Sequence, residues 1–203
     1  YGEASAVVSA GNTGASLAAS TFILRPLKGI DRPAIAAILP TMEGNSTILD
    51  VGANVDCRAN QLLQFGIMGV VYAKYIFNKP NPTVSLLSIG EEDSKGNETT
   101  KEAFQFLKNS SINFIGNVEG REVYRGYADV IVCDGFAGNV AIKISESVAE
   151  LFDWALDASF KGSWYGRLGK LLWRQEFKRI ASIMDYTEYG GAPLLGGNGN
   201  CIV

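Results

Sequence analysis

The feature that most constrains the fold is a recurring unit: a short apolar run, a loop of Gly, Asn or Asp, then a segment of helical periodicity. Ala4–Ala10 leads into Gly11-Asn12-Thr13-Gly14 and a helix-period stretch over Ala15–Leu24. Apolar runs follow at Ala34–Leu39 and Thr47–Asp50, the second continuing as Val51-Gly52-Ala53-Asn54-Val55-Asp56. Residues 59–77 then read as a helix with Leu62, Leu63, Ile67, Val70 and Val71 on or near one face. Thr83–Ile89 is a strand opening into Gly90–Asn97, ahead of a helix over Glu98–Lys108. Asn113–Ile115 and Asp129–Cys133 are two further strands. The second passes through Asp134-Gly135-Phe136-Ala137-Gly138-Asn139 into a long helix with an apolar stripe of Ile144, Val148, Leu151, Phe152 and Ala155. Strands alternating with helices predict an α/β fold, a mostly parallel sheet with helices on both faces. Ligands of such sheets bind at the carboxyl ends of the strands, where these loops fall.

At 203 residues, nearly half of them apolar, the chain fits a single α/β core that needs no disulfide or metal to hold it. A net charge of −3 argues against nucleic acid as a partner. Cys57, Cys133 and Cys201 form no CxxC pair, and the chain has no histidine to complete a zinc site. They read as reduced thiols of a cytoplasmic protein. No apolar run is long enough to span a bilayer. Without histidine, a Ser-His-Asp triad, a Cys-His pair and a histidine general base are excluded within these residues. Chemistry then falls to Lys, Arg, carboxylates, amides, backbone N–H groups, or the substrate's own nucleophile. The strand-like character of both ends leads us to expect covalent sequence beyond Tyr1 and Val203.

Each loop carries two readings. Gly11–Gly14 opens a helix, so its amides suit an anion, yet Asn12 also suits a plain N-cap. Asp134–Asn139 has the same layout, with Asn139 expected to cap the long helix. Gly90–Asn97 sets Lys95 among Glu91, Glu92 and Asp93, as a point charge for phosphate or as one half of a surface ion pair. Asp50 and Asp56 flank Gly52 and Asn54, where hard oxygen ligands suit Mg²⁺ and turn-forming side chains are the commoner explanation.

Residues 160–181 differ from the rest. Six Lys and Arg stand against Glu176, interleaved with Trp164, Leu168, Leu171, Leu172, Trp173 and Phe177. Such a segment is a surface helix, an oligomer contact, or a projecting amphipathic helix that meets anionic headgroups. The density of Trp and Leu among the cations favours the membrane.

The ordered set of motifs resembles the PlsX-type phosphate acyltransferases. The resemblance is carried by Val8-Ser9-Ala10-Gly11-Asn12-Thr13-Gly14-Ala15, Lys28-Gly29-Ile30-Asp31-Arg32-Pro33 and Leu49-Asp50-Val51-Gly52-Ala53-Asn54-Val55-Asp56. It continues through Ile67-Met68-Gly69, Gly90-Glu91-Glu92-Asp93, Lys95-Gly96-Asn97-Glu98 and Asn113-Phe114-Ile115-Gly116-Asn117-Val118-Glu119. It ends with Asp134–Asn139 and Tyr189-Gly190-Gly191-Ala192. The family's Asp-Ala-Met-Gly-Gly-Asp signature is absent before Tyr1 and its His-Gly-Ser-Ser signature after Val203.

The resemblance implies an isopropylmalate-dehydrogenase-like, Rossmann-like layered fold and a homodimer without a redox cofactor. It also implies transfer of a fatty acyl group from acyl carrier protein to inorganic phosphate, at the surface of a membrane met by the basic segment. Lys95 and Asn139 are then expected to act on phosphate and the developing oxyanion. Asn12, Thr13, Gly14, Asn54, Asp56, Asp134 and Gly138 are expected to bind substrate. Three other readings stand beside this one. One is a phosphate acetyl- or butyryltransferase using coenzyme A thioesters, and another an NAD-dependent dehydrogenase of related fold, for which no GxGxxG follows a strand. The third is a non-catalytic membrane-binding module.

Overall fold

The computed structural model describes residues 4–161, 165, 168–169, 172–173, 175–176, 179 and 191–203. In chain order the elements are β1 (Ala6–Val8), α1 (Thr13–Ile23), β2 (Ala34–Thr41), β3 (Gly44–Leu49), α2 (Ala59–Ile76) and β4 (Thr83–Ser88). They continue with α3 (Glu98–Lys108), β5 (Asn113–Glu119), β6 (Val130–Val132), α4 (Gly135–Lys161), β7 (Leu194–Leu195) and β8 (Asn200–Ile202). The main sheet has the order β5-β4-β6-β3-β2-β7, with β5, β4, β6 and β3 mutually parallel. β1 and β8 pair in parallel as a separate two-stranded sheet.

One departure from strict alternation is that β2 and β3 form an antiparallel hairpin, in register from Ala36↔Leu49 to Thr41↔Gly44. Gly44, at φ 115°, makes the turn, and Thr41 Oγ1 donates to its carbonyl at 3.0 Å. β2 therefore starts at the end of the sheet where the parallel strands finish.

Alternate strand residues feed two cores. Leu49, Val84, Leu86, Val130 and Val132 point to one face, where α2 and α3 cover them. Ile48 and Ile131 point to the other, towards Ala137 and Ile142 of α4. Each fully buried Leu, Ile, Val or Phe among these contributes about 1.5–3 kcal/mol.

The buried face of α2 is not centred where the periodicity placed it. Leu62, Phe65, Met68 and Ala73 are buried, whereas Ile67 and Val71 are exposed. The cause lies in two small residues: Gly66 lies against Leu107 of α3 and Gly69 against Val130 of β6. Their missing side chains let the helix sit close to its neighbours, and that fixes its rotation. On α4 the expected stripe exists but is uncovered, with Ile144, Val148 and Leu151 each more than half exposed. Between α4, the β2–β3 hairpin and residues 120–124 lies an apolar cavity of about 680 Å³. Among the described residues no helix is long and apolar enough to cross a membrane.

Candidate functional site

Because β3, β6 and β4 are parallel neighbours, the loops that follow them gather at one end of the sheet, with the β6 loop in the middle. The chain leaves β3 and β4 for helices on one face and leaves β6 for α4 on the other. That divergence opens a crevice at the strand ends.

On one side of the crevice stands the loop after β4. Lys95 is exposed, its N–H bonded to the Glu92 carbonyl at 2.9 Å. The lysine stem lies over buried Gly90, where a Cβ would come within 2.8 Å of Lys95 Cγ. Among the described residues the Lys95 ammonium has no ion-pair partner, so the surface-pair reading does not describe it. Two of the three neighbouring carboxylates are engaged elsewhere, and Glu92 is held through its main chain. Asp93 meets Lys108 at 2.9 Å, Glu91 meets Arg121 at 3.6 Å, and Asn117 Nδ2 donates to the Glu92 carbonyl at 2.9 Å. Asn97, at the loop's end, caps α3 by accepting from Thr100 N at 2.8 Å.

In the middle stands the start of α4. Asn139 was expected to be its N-cap, and here the structure corrects the sequence. The helix begins four residues earlier, at Gly135, and Asp134 is the capping group, its Oδ1 accepting from Ala137 N at 2.7 Å. Asp134 immediately precedes the first residue of α4, so an acid there meets the free amides first. Asn139 lies one turn in, exposed, its side chain bonding no described residue. Gly138 is buried, its N–H bonded to the Asp134 carbonyl at 3.0 Å, and a Cβ there would collide with the Asp50 carbonyl and Cys133 Sγ. Gly138 thus serves close packing.

On the far side is the loop after β3. Asp50 is fully buried, and its carboxylate accepts from Ile35 N (3.0 Å), Ala53 N (3.1 Å), Asn54 N (2.7 Å) and Asn54 Nδ2 (2.8 Å). Burial pushes its pKa up and these bonds oppose the rise. Asn54 is 4% exposed and also donates to the Pro33 carbonyl at 2.8 Å, so its amide nitrogen is committed to the scaffold. Asp56 is exposed, and the two carboxylates point to different environments. Among the described residues no three His, Cys, Asp or Glu cluster as metal ligands.

The first glycine loop belongs to the β1–β8 sheet, and α1 behind it packs through Leu17 in a cluster with Val51 and Ala53. Asn12 caps α1, accepting from Gly14 N at 2.8 Å and Ala15 N at 3.3 Å, while Thr13 and Gly14 are exposed. Two thiols border the crevice. Cys57 Sγ donates to the Asn54 carbonyl at 3.4 Å and Cys133 Sγ to the Asp50 carbonyl at 3.3 Å. Burial, then the charges of Asp50 and Asp134, push Cys57 up to about 12 and Cys133 well above the usual thiol range. Both are protonated at neutral pH and poor nucleophiles. Of the basic segment, Leu168, Leu172 and Trp173 are exposed, and Trp164 and Leu171 lie outside the described residues.

The parts that sequence reasoning missed are those that hold the loops. Asp50 accepting from Ile35, and Asn117 bonding Glu92, are contacts between residues far apart in the chain, with no local pattern to reveal them.

Comparison with known proteins completes the description of the site. A family model described as "Fatty acid synthesis protein" matches residues 1–203. The chain is 52% identical over 198 residues to a phosphate acyltransferase of Trichlorobacter lovleyi, covering 98% of this chain and 57% of that protein. It is 53% identical over 202 residues to one of Geobacter sulfurreducens, covering 100% of this chain and 58% of the relative. The chain therefore spans little more than half the length of these relatives. Among solved structures, the EutD phosphotransacetylase of Staphylococcus aureus aligns with a TM-score of 0.57 at 18% identity, over 73% of this chain and 52% of its own. A phosphotransacetylase of Streptococcus pyogenes aligns at 0.56 and 18%, over 72% and 51%. At that identity the likeness is one of fold.

Proposed function

The chain belongs to the fatty acid synthesis protein family, the PlsX-type phosphate acyltransferases, and from that premise we propose that it carries the catalytic face of an acyl carrier protein:phosphate acyltransferase. The observation that carries the reading is the crevice itself: Lys95 and Asn139, whose side chains have no partner among the described residues, at the carboxyl ends of the adjacent strands β4 and β6.

The chemistry needs little more than positioning. Inorganic phosphate is partly dianionic at neutral pH and needs no histidine to activate it. One of its oxygens attacks the thioester carbonyl, forming a C–O bond and a tetrahedral oxyanion. Collapse breaks the C–S bond and gives acyl phosphate, and the phosphate's proton passes to the departing thiolate. Lys95 holds the phosphate and offsets the gathering negative charge, and Asn139 donates to the phosphate or the oxyanion. Thr13 and the exposed edge of the Gly11–Gly14 loop complete the wall. The protonated state of Cys57 and Cys133 supports direct transfer without an acyl-enzyme.

In this reading Asn12, Asn54, Asp134 and Gly138 shape the crevice rather than touch substrate. The proposal extends to a homodimer, for which the exposed stripe of α4 offers a surface, and to a cytoplasmic protein in peripheral contact with anionic lipid through residues such as Leu168, Leu172 and Trp173.

The experiment is phosphate-dependent consumption of long-chain acyl carrier protein by the full-length protein, run beside the matching coenzyme A thioester. Acyl phosphate formed from the carrier-protein donor is the expected product, and turnover of the coenzyme A thioester alone would reassign the donor. Lys95→Ala and Asn139→Ala should each lower kcat by about 10²–10³ with the fold intact. A variant with near wild-type rates would remove that residue from the mechanism.

A further inference from the structure

Asp50 has no part in the chemistry above, yet it joins three segments that wall the crevice. Its carboxylate receives the start of β2 at Ile35 and its own loop at Ala53 and Asn54. Its N–H donates to the Cys133 carbonyl at 3.0 Å, and its carbonyl abuts Gly138. Asn54 extends the joint, its carbonyl accepting from Gly135 N at 2.7 Å at the first residue of α4. Gly52, between the two, faces Asn139, and a Cβ there would sit 3.7 Å from the Asn139 side chain. The bonds from Asp50 and Asn54 therefore hold Cys133 and Gly135 at the start of α4, and the packing of Asp50 on Gly138 reaches the residue before Asn139.

All four groups that reach the Asp50 oxygens are donors. Only an ionised carboxylate accepts from all of them; an amide would turn its own NH₂ against two. Among the described residues no cation neutralises the charge, so this buried acid is expensive to keep. Such groups concentrate at functional sites.

Resting on the reading that Asn139 meets the reacting atoms, we propose that Asp50 is a positioning residue for the reaction, holding Asn139 in place through Asn54 and through its own contact with Gly138. The test is a double-variant cycle in the full-length protein, read as the rate of acyl phosphate formation at saturating phosphate. Asn139→Ala alone should lose about 10²–10³ in kcat. Asp50→Asn alone should lose about tenfold or more, because the displaced loop no longer holds the start of α4, and Asn139 with it, on its mark.

The double variant should fall within about threefold of Asn139→Ala, since a residue that acts through Asn139 then has nothing left to place. A merely structural role would multiply the two losses, and that result, or an Asp50→Asn enzyme at the wild-type rate, overturns the proposal. Wild-type turnover by Asn139→Ala would instead bring down the reading of Asn139, and this inference with it. If Asp50→Asn does not fold, Asn54→Ser, which removes the side-chain bond to Asp50, takes its place in the cycle, with the same expected coupling and the same overturning result.

Discussion

Asp129 and Asp134 flank the same three-residue strand and do opposite jobs. Asp129, at the start of β6, binds Lys79 and accepts from Thr83 N at 2.8 Å and Thr83 Oγ1 at 3.0 Å, fastening the first residue of β4. Burial alone would raise its pKa, but the bonds from Lys79 and Thr83 outweigh that and hold it below the usual carboxylate range. A depressed folded-state pKa means that the stabilisation is complete above the ordinary carboxylate pKa and is lost as pH falls through the depressed one. Asp129→Ala should therefore cost about 1–3 kcal/mol near neutral pH. In urea titrations the gap between variant and parent should close as the medium becomes strongly acidic; a gap that persists there would deny the ionised carboxylate its role. Asp134, at the other end, caps α4. Sequence alone identified both the loop and the need for a cap but assigned the cap to Asn139, because Asn and Asp are nearly equal in that role. The choice is made by where the strand stops, and no local preference encodes it.

At the scale of elements the sequence was legible wherever periodicity was strong. The Glu98–Lys108 helix is found at its expected bounds, and the loops of interest do follow strands. The errors came from faces. Apolar count alone pulled the predicted face of α2 towards Ile67 and Val71, whereas Gly66 and Gly69 decide which side approaches the sheet. Gly69→Ala puts two effects in conflict. Helix propensity would favour the substitution by about 1 kcal/mol, but the added methyl collides with Val130 Cγ1, and overpacking costs about 1–3 kcal/mol. The collision involves a β-branched residue at the centre of the sheet that cannot swing aside, so a net loss of stability in thermal melts is expected. A stabilised variant would show that α2 can lift off the sheet freely.

For the whole molecule, α4 poses the main question of assembly. It is 27 residues and about 40 Å long, and its apolar stripe is exposed, with Ile144 and Val148 lining the open cavity at the β2–β3 hairpin. A stripe spaced three and four apart normally marks a buried face, so periodicity identified the stripe but could not say what covers it. Under the dimer proposed above, Ile144→Asp with Val148→Asp should turn a dimer into a monomer in sedimentation equilibrium without lowering the melting temperature of the separated subunit. A full-length parent that already sediments as a monomer, or a doubly charged variant that stays dimeric, would exclude this surface. The β2–β3 hairpin escaped notice for a related reason, since two apolar runs joined by Met42-Glu43-Gly44 carry no strong two-residue turn signal. The pairing of β1 with β8 has a consequence in time. Among the described residues Ala6–Val8 finds its strand partner only in Asn200–Ile202, whereas all strands of the main sheet except β7 are complete once Val132 has been made. At roughly 5–20 residues per second on the ribosome, the loop bearing Asn12 and Thr13 must wait about 4–14 seconds behind a nearly finished sheet before its own strand can close.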